Sequence, residues 1–330
     1  MLINHNEKIF IAGSSGMVGS GIVRALIKNG YNNLITPNRD ELDLFDRSRV
    51  KEWFHINNPS IVIIAAAKVG GIYANDVYPA DFILENLKIQ TNLIEIAYES
   101  KVKRLLFLGS SCIYPKFASQ PIKEEELLSG PLEETNQWYA IAKIAGIKLC
   151  QALRKQHDFD AFSLMPTNLY GPGDNYHLKN SHVIPGLIRK FHDACILDSK
   201  EVVCWGTGES LREFLHVDDL SEACVFLLEH WDPERSNIHK SGQDKMLSFL
   251  NVGTGVDIKI KDLATLISNI MGFKGKIIWD TSKPDGTPRK LLDVSRINKL
   301  GWKSKIKINE GLIDTIKSFK KELNSGKLRK

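Results

Sequence analysis

The feature that most constrains the fold is a repeated pairing of an uninterrupted apolar run with a stretch of helical periodicity. "KIFIA" (Lys8–Ala12) precedes "SGIVRALIKNG", and "IVIIAAA" precedes a long helical segment from about Pro79 to Ser100. "RLLFLGS" precedes another from about Tyr139 to His157, and "AFSLMPTNLYGP" closes the series. "NLITP" and a helix from about Asp46 to Asn57 fit between the first two runs. A strand with one wet face alternates apolar and polar residues. These runs do not, so they predict strands covered on both faces, as in a parallel sheet with helices above and below. The fold class expected is α/β, a doubly wound parallel sheet. After Gly171, Pro and Gly become frequent and strands such as "EVVCW" are brief, which predicts a smaller mixed α/β lobe over the sheet. The boundaries expected are 1–170 plus roughly 213–253 for the sheet domain, and roughly 171–212 plus 254–330 for the lobe.

The turn after the first run, "GSSGMVG", spaces Gly13, Gly16 and Gly19 by threes and opens a helix. In doubly wound sheets ligands sit beyond the carboxyl ends of the strands. The loops after Ala12, Ala65, Gly109 and Met165 all open on that edge, so their residues can meet in one cleft. Small residues let the backbone approach a pyrophosphate, and the helix N-terminus supplies N–H donors and positive potential. The pattern predicts a Rossmann-type nucleotide-binding domain, with Gly13, Ser14, Ser15, Gly16, Met17, Val18 and Gly19 around the cofactor. A turn serving only helix–sheet packing would use the same glycines. In "PNRDELDL", at the end of the second strand, Arg39 is placed to pair with a 2′-phosphate, which favours NADP(H) over NAD. Pairing with Asp40 or Glu41 is the alternative.

"YAIAK" puts Tyr139 and Lys143 four apart, on one helix face. A free phenol titrates at ~10, and a nearby ammonium favours the phenolate. Lys143 is therefore expected to lower the Tyr139 pKa and to bond the nicotinamide ribose. Ser110, at a strand end, would hydrogen-bond a substrate carbonyl oxygen. A surface lysine and a packed tyrosine share this spacing; joined to the glycine turn, the set predicts hydride transfer at a carbonyl or alcohol.

The composition narrows the partners. Of the net charge of +5, residues 301–330 carry nine Lys/Arg against three Asp/Glu, leaving the rest near neutral. That is a solvated basic end and not a nucleic-acid surface. No apolar run approaches the ~20 residues of a membrane helix, and the first residues carry no signal-like apolar stretch. The five cysteines (Cys112, Cys150, Cys195, Cys204, Cys224) are scattered, which predicts a reduced, cytoplasmic protein without a cysteine-held metal.

The glycine turn, Ser110 and "YAIAK" together resemble the extended short-chain dehydrogenase/reductase superfamily. "AAAKVGGI", "GSSCIYP", "YAIAKIAGIKLC", "MPTNLYGP", "NSHVIP", "REFLHVDD", "NVGTGVD" and "SKPDGTPRKLLDV" resemble, within it, the GDP-L-fucose synthase family over nearly the whole chain. The resemblance implies an NADPH-dependent epimerase–reductase acting on GDP-4-keto-6-deoxy-D-mannose. Inversion beside a ketone needs a base and an acid. A thiol titrates at ~8.5, within tuning range of neutrality, and Cys112 is placed to be the base. The family gives the acid role to the histidine matching His182. Taken singly, Cys112 reads as apolar filler and His182 as the start of a helix.

The strand-end segments Leu108, Gly109, Ser110 and Ser111, and Pro166, Thr167, Asn168 and Leu169, are expected beside the cofactor together with Lys143 and His182. Lys190, Trp205, Arg212, Asp285 and Lys290 match substrate positions. Arg212 could also form a buried ion pair with Glu213 or Asp218. The chain departs from the family's bacterial members at Ser15 and Lys190, both arginine there, which leaves more of the NADP argument on Arg39. A homodimer through the helices at 79–100 and 139–157 is also implied. A related GDP-4-keto-heptose enzyme and a silent nucleotide-binding scaffold are the competing readings.

Overall fold

The computed structural model describes residues 1–178, 180–234, 247–283 and 285–329. In chain order the first unit is β1 (Ile9–Ala12), α1 (Met17–Lys28), β2 (Leu34–Ile35), α2 (Arg47–Asn57), β3 (Ile61–Ile64), α3 (Ile72–Val77), α4 (Pro79–Glu99), β4 (Arg104–Leu108), α5 (Gln137–His157) and β5 (Ala161–Pro166). Then come β6 (Asn168–Tyr170), α6 (Val183–Ile196), β7 (Glu201–Trp205), β8 (Leu211–His216), α7 (Val217–His230) and β9 (Phe249–Val252). The chain continues with β10 (Asp257–Lys259), α8 (Ile260–Met271), β11 (Lys276–Asp280), β12 (Arg289–Lys290), α9 (Ser295–Lys299) and α10 (Ile308–Asn324).

Six strands form one parallel sheet in the order β2-β1-β3-β4-β5-β9. β1 and β3 are apolar and buried at every residue, and in β4 and β5 only the buried Arg104 and Ser163 are polar. That is why the runs carry no alternation. The apolar stretch at 61–67 is longer than its strand, which ends at Ile64. α4 packs on α5 and α2, while α1 packs on α7 under the ion pairs Arg24–Asp218 and Lys28–Glu222, each 2.6 Å. Asp46 starts α2 by accepting hydrogen bonds from the Ser48 and Arg49 amides.

A second, smaller sheet has the order β10-β8-β12, with β6 beside β8. β7 and β11 form a separate parallel pair. A second apolar core lies among α6, α8 and α10, with Phe191, Ile267 and Phe319 at its centre. Val294, Ile297 and Trp302 pack instead in the core of the large sheet. The expected stretch 213–253 runs through 235–246, which lies outside the described residues.

One carboxylate ties the two sheets together. Glu213 of β8 is fully buried. Its Oε1 accepts the amides of Thr254 (2.6 Å) and Gly255 (2.7 Å), and its Oε2 accepts that of Leu292 (3.0 Å). Its carbonyl accepts Asn168 Nδ2 at 2.8 Å and Thr167 Oγ1 at 3.3 Å.

Candidate active site

Because the large sheet is parallel, the loops after β1, β3, β4 and β5 open on one edge. At the first, Gly13 turns with φ +85°, and a Cβ there would stand 2.7 Å from the backbone of Ala66. Gly19 faces the same turn: a Cβ would lie 2.6 Å from the Gly13 carbonyl carbon and 2.8 Å from Ser14 Cα. Gly16 differs. Its φ and ψ of −76° and 167° suit any residue, and its Cβ position is open, with Gly13 O at 3.4 Å and Arg329 Nη1 at 3.7 Å. Gly16 caps α1 with no side chain bonded to the free N–H groups. Ser14, Met17 and Val18 are half-buried around the turn, and Ser15 is exposed. A backbone cradle, an uncapped helix start and an open face fit a dinucleotide's phosphates. Arg39 is exposed, lies over the Phe45 ring at 5.4 Å and makes no ion pair with Asp40 or Glu41. Glu41 bonds the Asn38 amide instead (2.7 Å).

The loop after β4 carries the candidate chemistry. Leu108 and Gly109 are buried; a Cβ on Gly109 would press 2.9 Å from Met165 Cε. Ser111–Ile113 forms a 3₁₀ turn, capped by the Ser110 hydroxyl, which accepts the Cys112 amide at 3.2 Å. The Ser110 hydroxyl also faces Tyr139 of α5 and favours its phenolate. Cys112 is half-buried, and Lys290 Nζ of β12 donates to its Sγ at 3.4 Å. A small cavity of about 30 Å³ opens beside Cys112 and Lys290. His182 precedes α6 and is exposed. The crowding cleft walls and the Lys290 charge hold its pKa below the ordinary histidine value.

The Tyr139–Lys143 pair departs from the expected electrostatics. Loss of water around the phenol, and then the Cys112 charge, push the Tyr139 pKa up, while the Ser110 hydroxyl opposes them. Lys143 has no part in that balance because it is itself buried. Burial drops its pKa to about 7, its Nζ donates to the Leu108 carbonyl at 2.9 Å, and it lies 5.8 Å from the Tyr139 ring centre. Tyr139 therefore holds its proton at neutral pH. Phe82 meets its ring edge-on at 6.5 Å.

Farther out, the small lobe lines the cleft with cations. Arg212 of β8 donates to the carbonyls of Leu211 (2.8 Å) and Asp285 (3.4 Å) and pairs with neither Glu213 nor Asp218. Burial lowers its pKa, and the Asp285 and Cys112 charges oppose that shift, so Arg212 is within electrostatic reach of the thiol. Asp285 bonds the Thr207 amide at 2.7 Å and its hydroxyl at 2.8 Å. Trp205 is 58% exposed, with Lys190 Nζ at 5.7 Å and Lys283 Nζ at 6.0 Å from its ring. Lys190 also donates to the Val203 carbonyl at 2.9 Å. Pro166 and Thr167 are buried and Leu169 is half-buried; Thr167 and Asn168 direct side-chain donors at β8.

Sequence reasoning assigned Lys290 to substrate alone and missed its contact with Cys112, 178 residues away. No local signal marks that pairing. Glu213 was missed as a joint, and Arg329 as a neighbour of the glycine turn.

The model of the NAD dependent epimerase/dehydratase family matches residues 9–239. A probable GDP-L-fucose synthase 1 of Oryza sativa subsp. japonica is 54% identical, covering 99% of this chain and 96% of that protein. A GDP-L-fucose synthase of Escherichia coli K12 is 51% identical over 95% of this chain and 96% of its own length. Among solved structures, a GDP-mannoheptose C4 reductase from Campylobacter jejuni with NADP bound superposes with a TM-score of 0.85 at 36% identity, over 96% of this chain and 99% of that one.

Proposed function

The chain belongs to the NAD dependent epimerase/dehydratase family, and on that premise we propose that it converts GDP-4-keto-6-deoxy-D-mannose to GDP-L-fucose with NADPH. The observation that carries this reading is the cluster at the β4 edge: Cys112 Sγ held by Lys290, the Ser110 hydroxyl on the Cys112 amide, Tyr139 within reach of the Cys112 charge and His182 within reach of the Lys290 charge.

A 4-keto group acidifies the C–H bonds at C3 and C5. Inversion at either carbon sends the C–H electron pair to O4 as one group takes the proton, and another returns a proton to the opposite face. Cys112 is the base in this reading and His182 the acid. Lys290 stands where it stabilises negative charge on the sulfur. The Ser110 and Tyr139 hydroxyls hydrogen-bond O4 while it carries the charge. NADPH, when bound, would supply the hydride that C4 needs; Tyr139, protonated at neutral pH, gives its proton to O4.

Gly13–Gly19 and the strand-end segments 108–111 and 166–169 would hold the cofactor, Arg39 would pair with its 2′-phosphate and Lys143 would serve its nicotinamide ribose. Arg212, Lys290 and Lys190 balance the GDP diphosphate, and Trp205 and Asp285 shape that end of the cleft. The exposed Leu84 of α4 and Trp138 and Ile141 of α5 support a homodimer through those helices. The unpaired cysteines support a cytoplasmic location. Among the described residues no helix is long and apolar enough to cross a membrane.

The test is incubation with the 4-keto sugar nucleotide and NADPH in deuterated water, read by NMR. Deuterium at both C3 and C5 of GDP-L-fucose is expected. Reduced product with protium at both carbons would mean a plain C4 reductase, as in the heptose relative, and would return Cys112 and His182 to structural roles.

A further inference from the structure

Beyond α10, the chain returns to the glycine turn. Leu328 packs against the second core, and the Arg329 carbonyl accepts the Tyr176 amide at 3.0 Å. Glu322 Oε1 accepts the Gly173 amide at 3.1 Å and the Ser318 hydroxyl at 2.7 Å, lacing α10 to the loop at 171–176. That loop lies against α1: a Cβ on Gly173 would be 3.8 Å from Met17 Cα. The result is a guanidinium, exposed, with Nη1 3.7 Å from the place a Cβ of Gly16 would occupy.

Arg329 forms no hydrogen bond or ion pair with another described side chain, although Asp174 feels its charge. Asp174 is buried, burial lifts its pKa to about 7, and its Oδ2 has no hydrogen-bond partner, so the guanidinium does not reach it. Glu322 is spent on Gly173 and Ser318. A cation set at the positive, uncapped end of a helix is unfavourable by itself. An anion between the two removes the conflict and gains from both. The neighbouring Ser15 brings no charge. Resting on the cofactor reading above, we propose that Arg329 binds a phosphate of the dinucleotide and completes the cradle from the far end of the chain.

The experiment titrates NADPH and NADH into the full chain, followed by nicotinamide fluorescence, for the unmodified protein, Arg329→Ala and Arg329→Gln. Melting without cofactor should be unchanged, since the side chain is exposed; the glutamine variant keeps the packed stem if alanine loosens the segment. Both variants should bind NADPH roughly tenfold or more weakly, the scale of one charge-assisted bond. A contact to the 2′-phosphate spares NADH, whereas a contact to the pyrophosphate weakens both dinucleotides alike; either supports the proposal. Affinities within about twofold of the unmodified protein for both dinucleotides overturn it. An unmodified chain that binds neither dinucleotide overturns the cofactor reading as well. Failure on GDP-sugars alone touches only the reaction.

Discussion

Alanine at Gly16 and at Gly19 separates what the glycine turn does for the fold from what it does for a ligand. At Gly19 the added methyl meets backbone, 2.6 Å from Gly13 C and 2.8 Å from Ser14 Cα. Ordinary carbon contacts need about 3.5 Å or more, so α1 must back away from β1 by most of an ångström. Neither element is free to give, because Ile22, Ala25 and Leu26 of α1 are in the core. Overpacking of this kind costs roughly 3 kcal/mol, which for 330 residues lowers Tm by roughly 4 °C. At Gly16 the same methyl meets Gly13 O at 3.4 Å and the end of the flexible Arg329 side chain at 3.7 Å, on a backbone any residue adopts, so Tm should stay within about 1 °C. The methyl would, however, fill the open face, and NADPH should bind at least about tenfold more weakly. Differential scanning fluorimetry and a fluorescence titration read the two effects. Gly19→Ala melting like the parent, or Gly16→Ala binding NADPH like the parent, would refute the argument.

Four further outcomes follow from the site and the joint beside it. Cys112→Ser should lose solvent deuterium at C3 and C5 while binding NADPH normally, whereas Tyr139→Phe should still exchange deuterium but form no reduced product; full activity in either sinks its role. Glu213→Ala strands the buried Leu292 amide and the part-buried amides of Thr254 and Gly255 and should cost about 2 kcal/mol or more by urea unfolding, and a loss under about 1 kcal/mol would show that the joint carries little. Lys143 titrates near 7 when folded and near 10.4 when unfolded, so between those values the unfolded chain holds the extra proton and stability rises with pH. Relative to Lys143→Met, the parent should gain roughly 1–2 kcal/mol between about pH 7 and pH 9, and parallel pH profiles would contradict the burial argument.

The strands of the large sheet were legible because burial on both faces leaves a mark on consecutive residues, and α2, α4 and α5 because their periods run for three turns or more. The close approach at Gly13 and Gly19 was legible from their spacing. The electrostatics were not. "YAIAK" fixes that Tyr139 and Lys143 share a face, but not that Lys143 turns to the Leu108 carbonyl and loses its water. Arg212 could be imagined on Glu213 or Asp218 from proximity in sequence. Alternation along β8 sends adjacent side chains to opposite faces, and Asp218 is taken by Arg24. The pairs Cys112–Lys290 and Gly16–Arg329 join positions that only the finished topology brings together.

That alternation on β8 has a mechanical side. Glu213 points one way and clasps the loops at 254–255 and 292, while Arg212 points the other way toward the cleft. Lys290 is two residues from the clasped Leu292 and pairs in register with Arg212. Two cations of the cleft thus ride on the same stiff rivet that joins the lobes. A wide hinge opening would have to shear all three bonds to one carboxylate, the one to Leu292 buried and those to Thr254 and Gly255 part-buried. The separation of Cys112 from these two cations is then a fixed dimension of the scaffold, a ruler against which a bound molecule's length would be measured.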